Sequence, residues 1–293
     1  MSIRAEDPIV LDHVSVIDLD EMGNSPSVRL HEVSLALAAG EWLNVVGVNG
    51  CGKSTLARLL AGLLPANLSG EMRRGFAGNG VSPIVLQQPK AQLFGETPRE
   101  EVIFALEWKG IVKERIADLA EDALNKVGLL ALADEPWTRL SGGQQQLAAF
   151  AASMACDPLL LILDEVTSML DESNRELVLG TARSLHKRGT AILWITQRLD
   201  ELEPDARVVA IEGGRVIYDG DCRGFLYGVP VPGETELPSS PCLRSGLRLP
   251  YLASMAIELR RLGKWKDPLP MTTQEWGKVL GDVGDAEAKI AKS

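Results

Sequence analysis

The segment that most restricts the fold is a glycine-bearing loop between an apolar strand and an amphipathic helix. Residues 47–54 read Gly-Val-Asn-Gly-Cys-Gly-Lys-Ser and match the phosphate-loop pattern G-x-x-x-x-G-K-[ST]. Glycines let backbone N–H groups surround a phosphate, and the N-terminus of the following helix adds its positive end. A chance glycine turn is the alternative, but the flanking strand and helix argue against it. The sequence therefore predicts a nucleotide-phosphate site.

Residue types within this loop suggest separate tasks. Lys53 is expected to reach the β- and γ-phosphates, and the Ser54 hydroxyl is expected to bind Mg²⁺. The nucleotide is predicted to be ATP. The loop residues predicted to bind it are Gly47, Val48, Asn49, Gly50, Cys51, Gly52, Lys53, Ser54 and Thr55.

A second chemical signal is the apolar run 159–163, which ends in Asp164 and Glu165. Such runs are typical of parallel strands covered on both faces, and open α/β sheets place their sites at the carboxyl ends of these strands. Asp164 is expected to hold Mg²⁺, usually through water, and Glu165 to polarise an attacking water. An acidic pair after a strand is often only a solvated loop, but the phosphate loop favours a catalytic interpretation.

Residues 140–144, Leu-Ser-Gly-Gly-Gln, resemble the signature sequence of the ABC ATPases. A serine and two glycines that open a helix present a hydroxyl and bare N–H groups to an anion. In that family the segment contacts the γ-phosphate of ATP on the other subunit. The resemblance therefore implies that four residues act in trans, at the ATP site of the other subunit: Ser141, Gly142, Gly143 and Gln144. An N-capped helix without a ligand is the alternative, which the position between phosphate loop and acidic strand disfavours.

Other family landmarks follow in order along the chain. Gln87 resembles the loop glutamine that senses Mg²⁺ and the transmembrane partner, and so joins the nucleotide-binding residues. Residues 168–171, Ser-Met-Leu-Asp, resemble the loop that crosses the dimer interface, with Asp171 as its acid. The metal ligands implied are Ser54, Gln87 and Asp164.

The resemblance implies an α/β fold with an ABC-type phosphate-loop ATPase core. Its mostly parallel sheet is joined by an antiparallel β layer, a helical subdomain at about 90–157 and a small C-terminal helical appendage. We assign 1–227 to the ATPase domain and 228–293 to a linker and the appendage. The spacing of apolar residues predicts helix throughout 98–132.

Two stretches resemble the ATPases of energy-coupling factor (ECF) transporters, which import vitamins and transition-metal ions. One is 87–94, Gln-Gln-Pro-Lys-Ala-Gln-Leu-Phe, and the other is the tail around 246–275. The resemblance implies an ATP-hydrolysing subunit that couples dimer closure to uptake of a small molecule. It also implies three partners: a second ABC ATPase subunit, a transmembrane coupling subunit and a substrate-binding membrane subunit.

Composition limits the other possibilities. The 293 residues carry a net charge of −10, whereas binding to nucleic-acid phosphates favours a basic surface, so no nucleic-acid partner is expected. No run approaches the roughly 20 apolar residues of a membrane-spanning helix. Together with this, the resemblance implies a protein at the cytoplasmic face of the membrane, attached through transmembrane partners. A soluble ABC protein without a transport role is the less favoured alternative.

Two positions depart from the family pattern. Gln197 stands where a histidine normally contacts the γ-phosphate, and glutamine can donate a hydrogen bond but cannot titrate near neutrality. Asp18 stands where an aromatic side chain normally stacks on adenine. These changes suggest a heterodimer in which this chain mainly binds ATP and donates its signature, so a paralogue is favoured over a second copy. The opposing hypothesis keeps Glu165 and Gln197 as working catalytic residues.

Overall fold

A computed structural model describes residues 6–19, 26–89, 92–228, 240–266 and 268–278. The strands are β1 (Ile9–Leu19), β2 (Pro26–Leu37), β3 (Trp42–Val46), β4 (Leu68–Arg73), β5 (Ile84–Val85), β6 (Leu160–Asp164), β7 (Ala191–Ile195), β8 (Arg207–Glu212) and β9 (Arg215–Asp221). The α-helices are α1 (Lys53–Ala61), α2 (Pro98–Trp108), α3 (Lys113–Lys126), α4 (Gly142–Ala155), α5 (Glu172–Lys187), α6 (Cys222–Tyr227), α7 (Pro241–Arg244) and α8 (Tyr251–Arg261). The predicted α/β fold is confirmed.

The central sheet has six strands in the order β5-β6-β7-β3-β8-β9. Its first five strands are parallel, and β9 closes the edge as an antiparallel hairpin with β8. Every residue of β3, β6 and β7 is buried, which explains why these strands are apolar except for Asn44 in β3 and Asp164 at the end of β6. The loops after β3, β6 and β7 therefore meet at one edge of the sheet, which is where the site forms.

A three-stranded antiparallel layer, ordered β2-β1-β4, covers one face of the central sheet. Helix α1 lies between them, and its buried Leu56, Leu59 and Leu60 join one apolar core with residues of both sheets. This arrangement holds the N-terminal end of α1 against the antiparallel layer. It therefore fixes the phosphate loop between two sheets.

The other face of the sheet is covered by α2, α3, α4 and α5, which share a second core. The expectation of helix throughout 98–132 is wrong, because α2 ends at Trp108 and α3 begins only at Lys113. Gly110 in this break has φ +74°, a conformation that side chains other than glycine rarely adopt. Helices α2 to α4 fall within the range proposed for the helical subdomain.

The appendage packs on the hairpin edge of the sheet. Ala253 and Ala256 of α8 are buried in a third core with Phe225 of α6 and Val208 of β8. A last helical stretch at 273–278 begins with a capping box, since Glu275 N donates to Thr272 Oγ1 at 3.1 Å and Thr272 N donates to Glu275 Oε2 at 3.2 Å. The proposed linker at 228–241 lies largely outside the described residues.

Candidate nucleotide site

The phosphate loop joins β3 to α1 and needs glycine at two positions at least. Gly47 has φ +151°, and a Cβ there would lie 2.3 Å from the Ile211 carbonyl oxygen. Gly52 has φ +113°, and its Cβ would lie 2.5 Å from the Arg29 carbonyl oxygen. A side chain at either position would collide with backbone. The close packing of the loop thus explains both glycines without reference to a ligand.

Lys53 is buried inside this loop, with 5% of its surface exposed. Its Nζ donates to the carbonyl oxygens of Gly47 at 2.9 Å and Val48 at 3.1 Å. The same Nζ lies 3.4 Å from Oε1 of Glu165. The cation is therefore held at the point where the loop after β3 meets the loop after β6.

Glu165 follows β6 in a left-handed conformation, with φ +51°, although it is not glycine. Strained backbone of this kind is concentrated at functional sites. Gln197 Nε2 donates to Glu165 Oε1 at 2.6 Å and also to Asn49 Oδ1 at 2.5 Å. The structure thus brings together Lys53, Glu165 and Gln197, which lie on three different loops. The contact with Asn49 was not predicted from the sequence.

Asp164 ends β6 and is 3% exposed. Burial raises the pKa of its carboxyl group, and a hydrogen bond from Ser54 lowers it in part. A carboxylate beside a hydroxyl supplies the hard oxygen ligands that Mg²⁺ prefers. The two residues therefore fit a magnesium ion, and that role remains a prediction.

Gln87 is exposed in the loop after β5. The preceding residue is fixed on both sides, because Leu86 N donates to Gln92 Oε1 at 2.8 Å and its carbonyl accepts from Gln146 Nε2 at 2.9 Å. Strand β5 pairs in parallel with β6, so Gln87 lies at the same edge of the sheet as Asp164. Its assignment to nucleotide and metal binding remains a prediction.

The signature segment lies outside the phosphate loop, at the N-terminus of α4. Ser141 caps α4, accepting from Gln144 N at 3.2 Å, and the Gln144 side chain accepts from Ser141 N at 2.8 Å. Asp171 caps α5 beside it. These segments line a cavity of about 370 Å³, whose lining is Ser141, Gly142, Gly143, Gln144, Met169, Leu170, Asp171 and Asn174. The signature and the proposed dimer-crossing loop thus share one surface.

A buried carboxylate supports the switch loop from behind. Glu201 is 2% exposed and accepts hydrogen bonds from Thr167 Oγ1 at 2.7 Å and Thr196 Oγ1 at 2.9 Å. Burial raises the pKa of Glu201, and these hydrogen bonds oppose the rise. Thr196 precedes Gln197, so this network fixes the position of that residue. The sequence carried no local signal for it, because Thr167 and Glu201 lie on separate loops.

Comparison with known proteins identifies relatives in sequence and in fold. A family model described as ABC transporter matches residues 30–168. The energy-coupling factor transporter ATP-binding protein EcfA1 of Lacticaseibacillus paracasei is 37% identical over 246 residues, which cover 80% of this chain and 84% of that protein. EcfA1 of Levilactobacillus brevis is 33% identical, with coverage of 88% and 91%.

Solved structures of ABC cassettes are also similar to this chain. The dimeric post-hydrolysis state of the ATP-binding cassette MJ0796, bound to ADP and Pi, has a TM-score of 0.65 and 25% identity, and the match covers 74% of this chain and 100% of that chain. The cbiO1 protein of Clostridium perfringens, part of the ABC transporter complex cbiONQ, has a TM-score of 0.60 and 26% identity, with coverage of 74% and 90%.

The fold and these similarities define the class as a phosphate-loop ATPase of the ABC type. The chain belongs to the ABC transporter family as an ATP-binding subunit, and within that family it resembles the ATPase subunits of ECF transporters. It is an ATPase coupled to transport, a membrane-associated subunit that works with a second ATPase and transmembrane components. In the described part of the chain, no helix has the length and apolarity of a membrane span.

Proposed function

We propose that this chain is the ATP-hydrolysing subunit of an ECF-type importer for a vitamin or a transition-metal ion. The observation that carries the proposal is the convergence of Lys53 and Gln197 on Glu165, whose Oε1 lies 3.4 Å from Lys53 Nζ and 2.6 Å from Gln197 Nε2. Each comes from a different loop at the carboxyl edge of the sheet. The similarity to ECF ATPases supports the transporter class, and the cargo is chosen by a separate membrane subunit.

Hydrolysis proceeds by in-line attack of water on the γ-phosphate. The Glu165 carboxylate accepts a hydrogen bond from that water and polarises it. Lys53 Nζ stabilises the negative charge on the phosphate oxygens. Gln197 Nε2, which lies beside Asn49, donates a hydrogen bond to the γ-phosphate. Ser54 and Asp164 would hold Mg²⁺, which would neutralise negative charge on the phosphates.

The site is completed by a second ATPase subunit, which we propose to be a paralogue. The signature of this chain, Ser141 to Gln144, serves the partner's ATP, and the partner's signature serves this one. Asp171 lies beside that segment and contacts the partner across the interface. The glutamine at position 197 supports a paralogue, because a pair of unlike subunits can retain the usual histidine in one site.

The transmembrane subunit docks, we propose, on an exposed aromatic surface of the helical subdomain. Phe94, Phe104 and Trp108 are 75%, 43% and 84% exposed. Their rings are stacked, with centroids 5.4 Å apart for the first pair and 6.3 Å for the second. Contiguous exposed aromatic side chains are typical of protein interaction sites. Phe94 follows Gln87 by seven residues in the sequence, and we propose that contact with the partner reaches the nucleotide site through this segment.

A second candidate function is supported by the hydrogen bonds of Gln197. Its Nε2 holds Glu165 Oε1 at 2.6 Å, and an amide cannot take up a proton when the water is activated. In this alternative the site binds ATP but turns over slowly, and the chain acts chiefly as signature donor for the partner. Intact Lys53, Asp164 and Glu165 favour the hydrolytic function.

Transport in vesicles tests the proposal. The complex is purified with its membrane subunits, reconstituted in lipid vesicles, and supplied with ATP on the side of the ATPases. Accumulation of radiolabelled vitamins and of Ni²⁺ and Co²⁺ is then measured. We expect ATP-dependent uptake of one of these, lost in Lys53→Ala. ATP hydrolysis without uptake of any compound in the panel would contradict the proposed cargo class.

A further inference from the structure

An ion pair at the rim of the phosphate loop joins the two strands of the antiparallel layer. Arg29 Nε on β2 lies 3.3 Å from Asp18 Oδ2 on β1. Asp18 and Val16 are two residues apart on β1, so they share a face of the strand. Val16 is buried in the core with α1, and Asp18 lies beyond it as an exposed residue. The ion pair therefore faces the side of the layer on which α1 begins.

The backbone of Arg29 abuts the phosphate loop directly. A Cβ on Gly52, the residue that precedes Lys53, would lie 2.5 Å from the Arg29 carbonyl oxygen. The neighbouring Gly214 links the loop to the same strand, because Gly214 N donates to Cys51 O at 2.9 Å and Gly214 O accepts from His31 N at 2.8 Å. The side chain of Arg29 thus starts at the wall of the phosphate loop.

Residues of two other segments border the phosphate loop on two further sides. Glu165 lies 3.4 Å from Lys53 Nζ on the side where the γ-phosphate reacts. On another side, a Cβ on Gly246 of the appendage would lie 3.2 Å from Val48 Cγ1. The rim formed by Asp18 and Arg29 borders a further side of the loop, over which the ribose and base of a nucleotide with its phosphates in the loop can extend.

The chemistry of this rim suits a flat aromatic ligand. A guanidinium is planar and weakly hydrated, and it stacks on aromatic and nucleobase faces, whereas an ammonium does not. One hydrogen bond, from Arg29 Nε to Asp18 Oδ2, tethers the guanidinium at the rim. Asp18 has no aromatic face of its own, so it cannot supply the stacking surface itself.

We propose that the guanidinium of Arg29, held by Asp18, is the platform on which the base of ATP stacks. The proposal rests on the proposed function only in taking ATP as the nucleotide. Arg29 contacts the base, and Asp18 is a positioning residue. The base platform expected from the family at position 18 is in this chain supplied by the opposite strand.

Calorimetric titration of the full chain tests this platform with two ligands, ATP and inorganic tripolyphosphate, which has no base. Arg29→Ala removes the side chain, and Arg29→Lys keeps the charge but removes the planar face. Loss of a base stack corresponds to about a fivefold or greater rise in Kd for ATP, which we expect for both variants. For tripolyphosphate we expect Arg29→Lys to match the unmodified chain, and Arg29→Trp should retain ATP affinity.

Arg215→Ala is the matched control, because Arg215 lies on the adjacent hairpin, 3.9 Å from Glu32, and carries the same charge. It should leave the ratio of the two Kd values unchanged. Unmodified ATP affinity in Arg29→Lys, or equal weakening of both ligands, would overturn the platform. Binding by the isolated chain needs no membrane partner, so this result is independent of the uptake assay that tests the importer.

Discussion

Gln197 Nε2 lies 2.6 Å from Glu165 Oε1 and 2.5 Å from Asn49 Oδ1, so one amide bridges the loop after β6 and the phosphate loop. Lys53 approaches the same Glu165 oxygen at 3.4 Å. The carboxylate is therefore positioned by Lys53 Nζ on one side and by the Gln197 amide, which does not titrate, on the other. Hydrolysis at this site should then have no inflection near the pKa of a histidine.

Substitution of Gln197 by histidine should add that inflection. An imidazole has an ordinary pKa of about 6.5 and can carry charge toward the γ-phosphate, which glutamine cannot. We expect turnover of the complex to rise about threefold or more in Gln197→His, with a new inflection between about pH 5.5 and 7.5. The measurement is steady-state ATP turnover against pH. Identical pH profiles for the two proteins would contradict this role of residue 197.

Glu201 should make the stability of the protein depend on pH. Burial raises the pKa of its carboxyl group, so the folded state binds this proton more readily than the unfolded state. The resulting stabilisation is complete below the ordinary carboxyl pKa and is lost as pH rises through the raised value. The Glu201→Gln variant has no carboxyl group at this position and so lacks this pH-dependent stabilisation. The unmodified protein should therefore lose stability relative to the variant as pH rises.

Chemical denaturation of both proteins between pH 4 and pH 8 measures this difference. A gap in the free energy of unfolding that stays constant with pH would show that the Glu201 carboxyl titrates alike in both states. ATP turnover of Glu201→Gln adds a second readout, since Thr196 would lose part of the support that positions Gln197.

Ser141 should have two separable effects. Loss of its cap on α4 in Ser141→Ala should cost about 1 kcal/mol of unfolding free energy. Thr97→Ala is the matched control, because Thr97 caps α2 in the same layer and accepts from Glu100 N at 3.3 Å. Loss of one donor to a phosphate lowers turnover about tenfold or more, which we expect for Ser141→Ala alone. Equal turnover in the two variants would argue against a trans role for the signature.

Trp108 should matter for assembly and not for folding. It is 84% exposed, so Trp108→Ala should change the free energy of unfolding by less than about 0.5 kcal/mol. We expect the variant to lose most of its co-purification with the membrane subunits. Leu159→Ala, at a 64% exposed position just before β6, should assemble normally. Normal assembly of Trp108→Ala would contradict the proposal that the transmembrane subunit docks on the aromatic surface.

Sequence patterns predicted those parts of the fold that depend on residues close together in the chain. Buried parallel strands were visible as apolar runs, the phosphate loop as a glycine pattern, and the N-terminus of α4 as a serine followed by two glycines. Contacts between distant loops were not visible, because no spacing rule connects them. Thr167 with Glu201 and Arg29 with Asp18 depend on how the sheets stack and on bulges that shift the register of β1 and β2.

Steady-state ATP turnover by the membrane-embedded complex, with Glu165→Gln introduced only in this chain, tests the central claim most directly. The substitution keeps the size of the side chain and removes the carboxylate that would polarise water. If this chain hydrolyses ATP, turnover should collapse by about 100-fold or more. Turnover close to that of the unmodified complex would contradict the account and leave this chain as the signature donor of its partner.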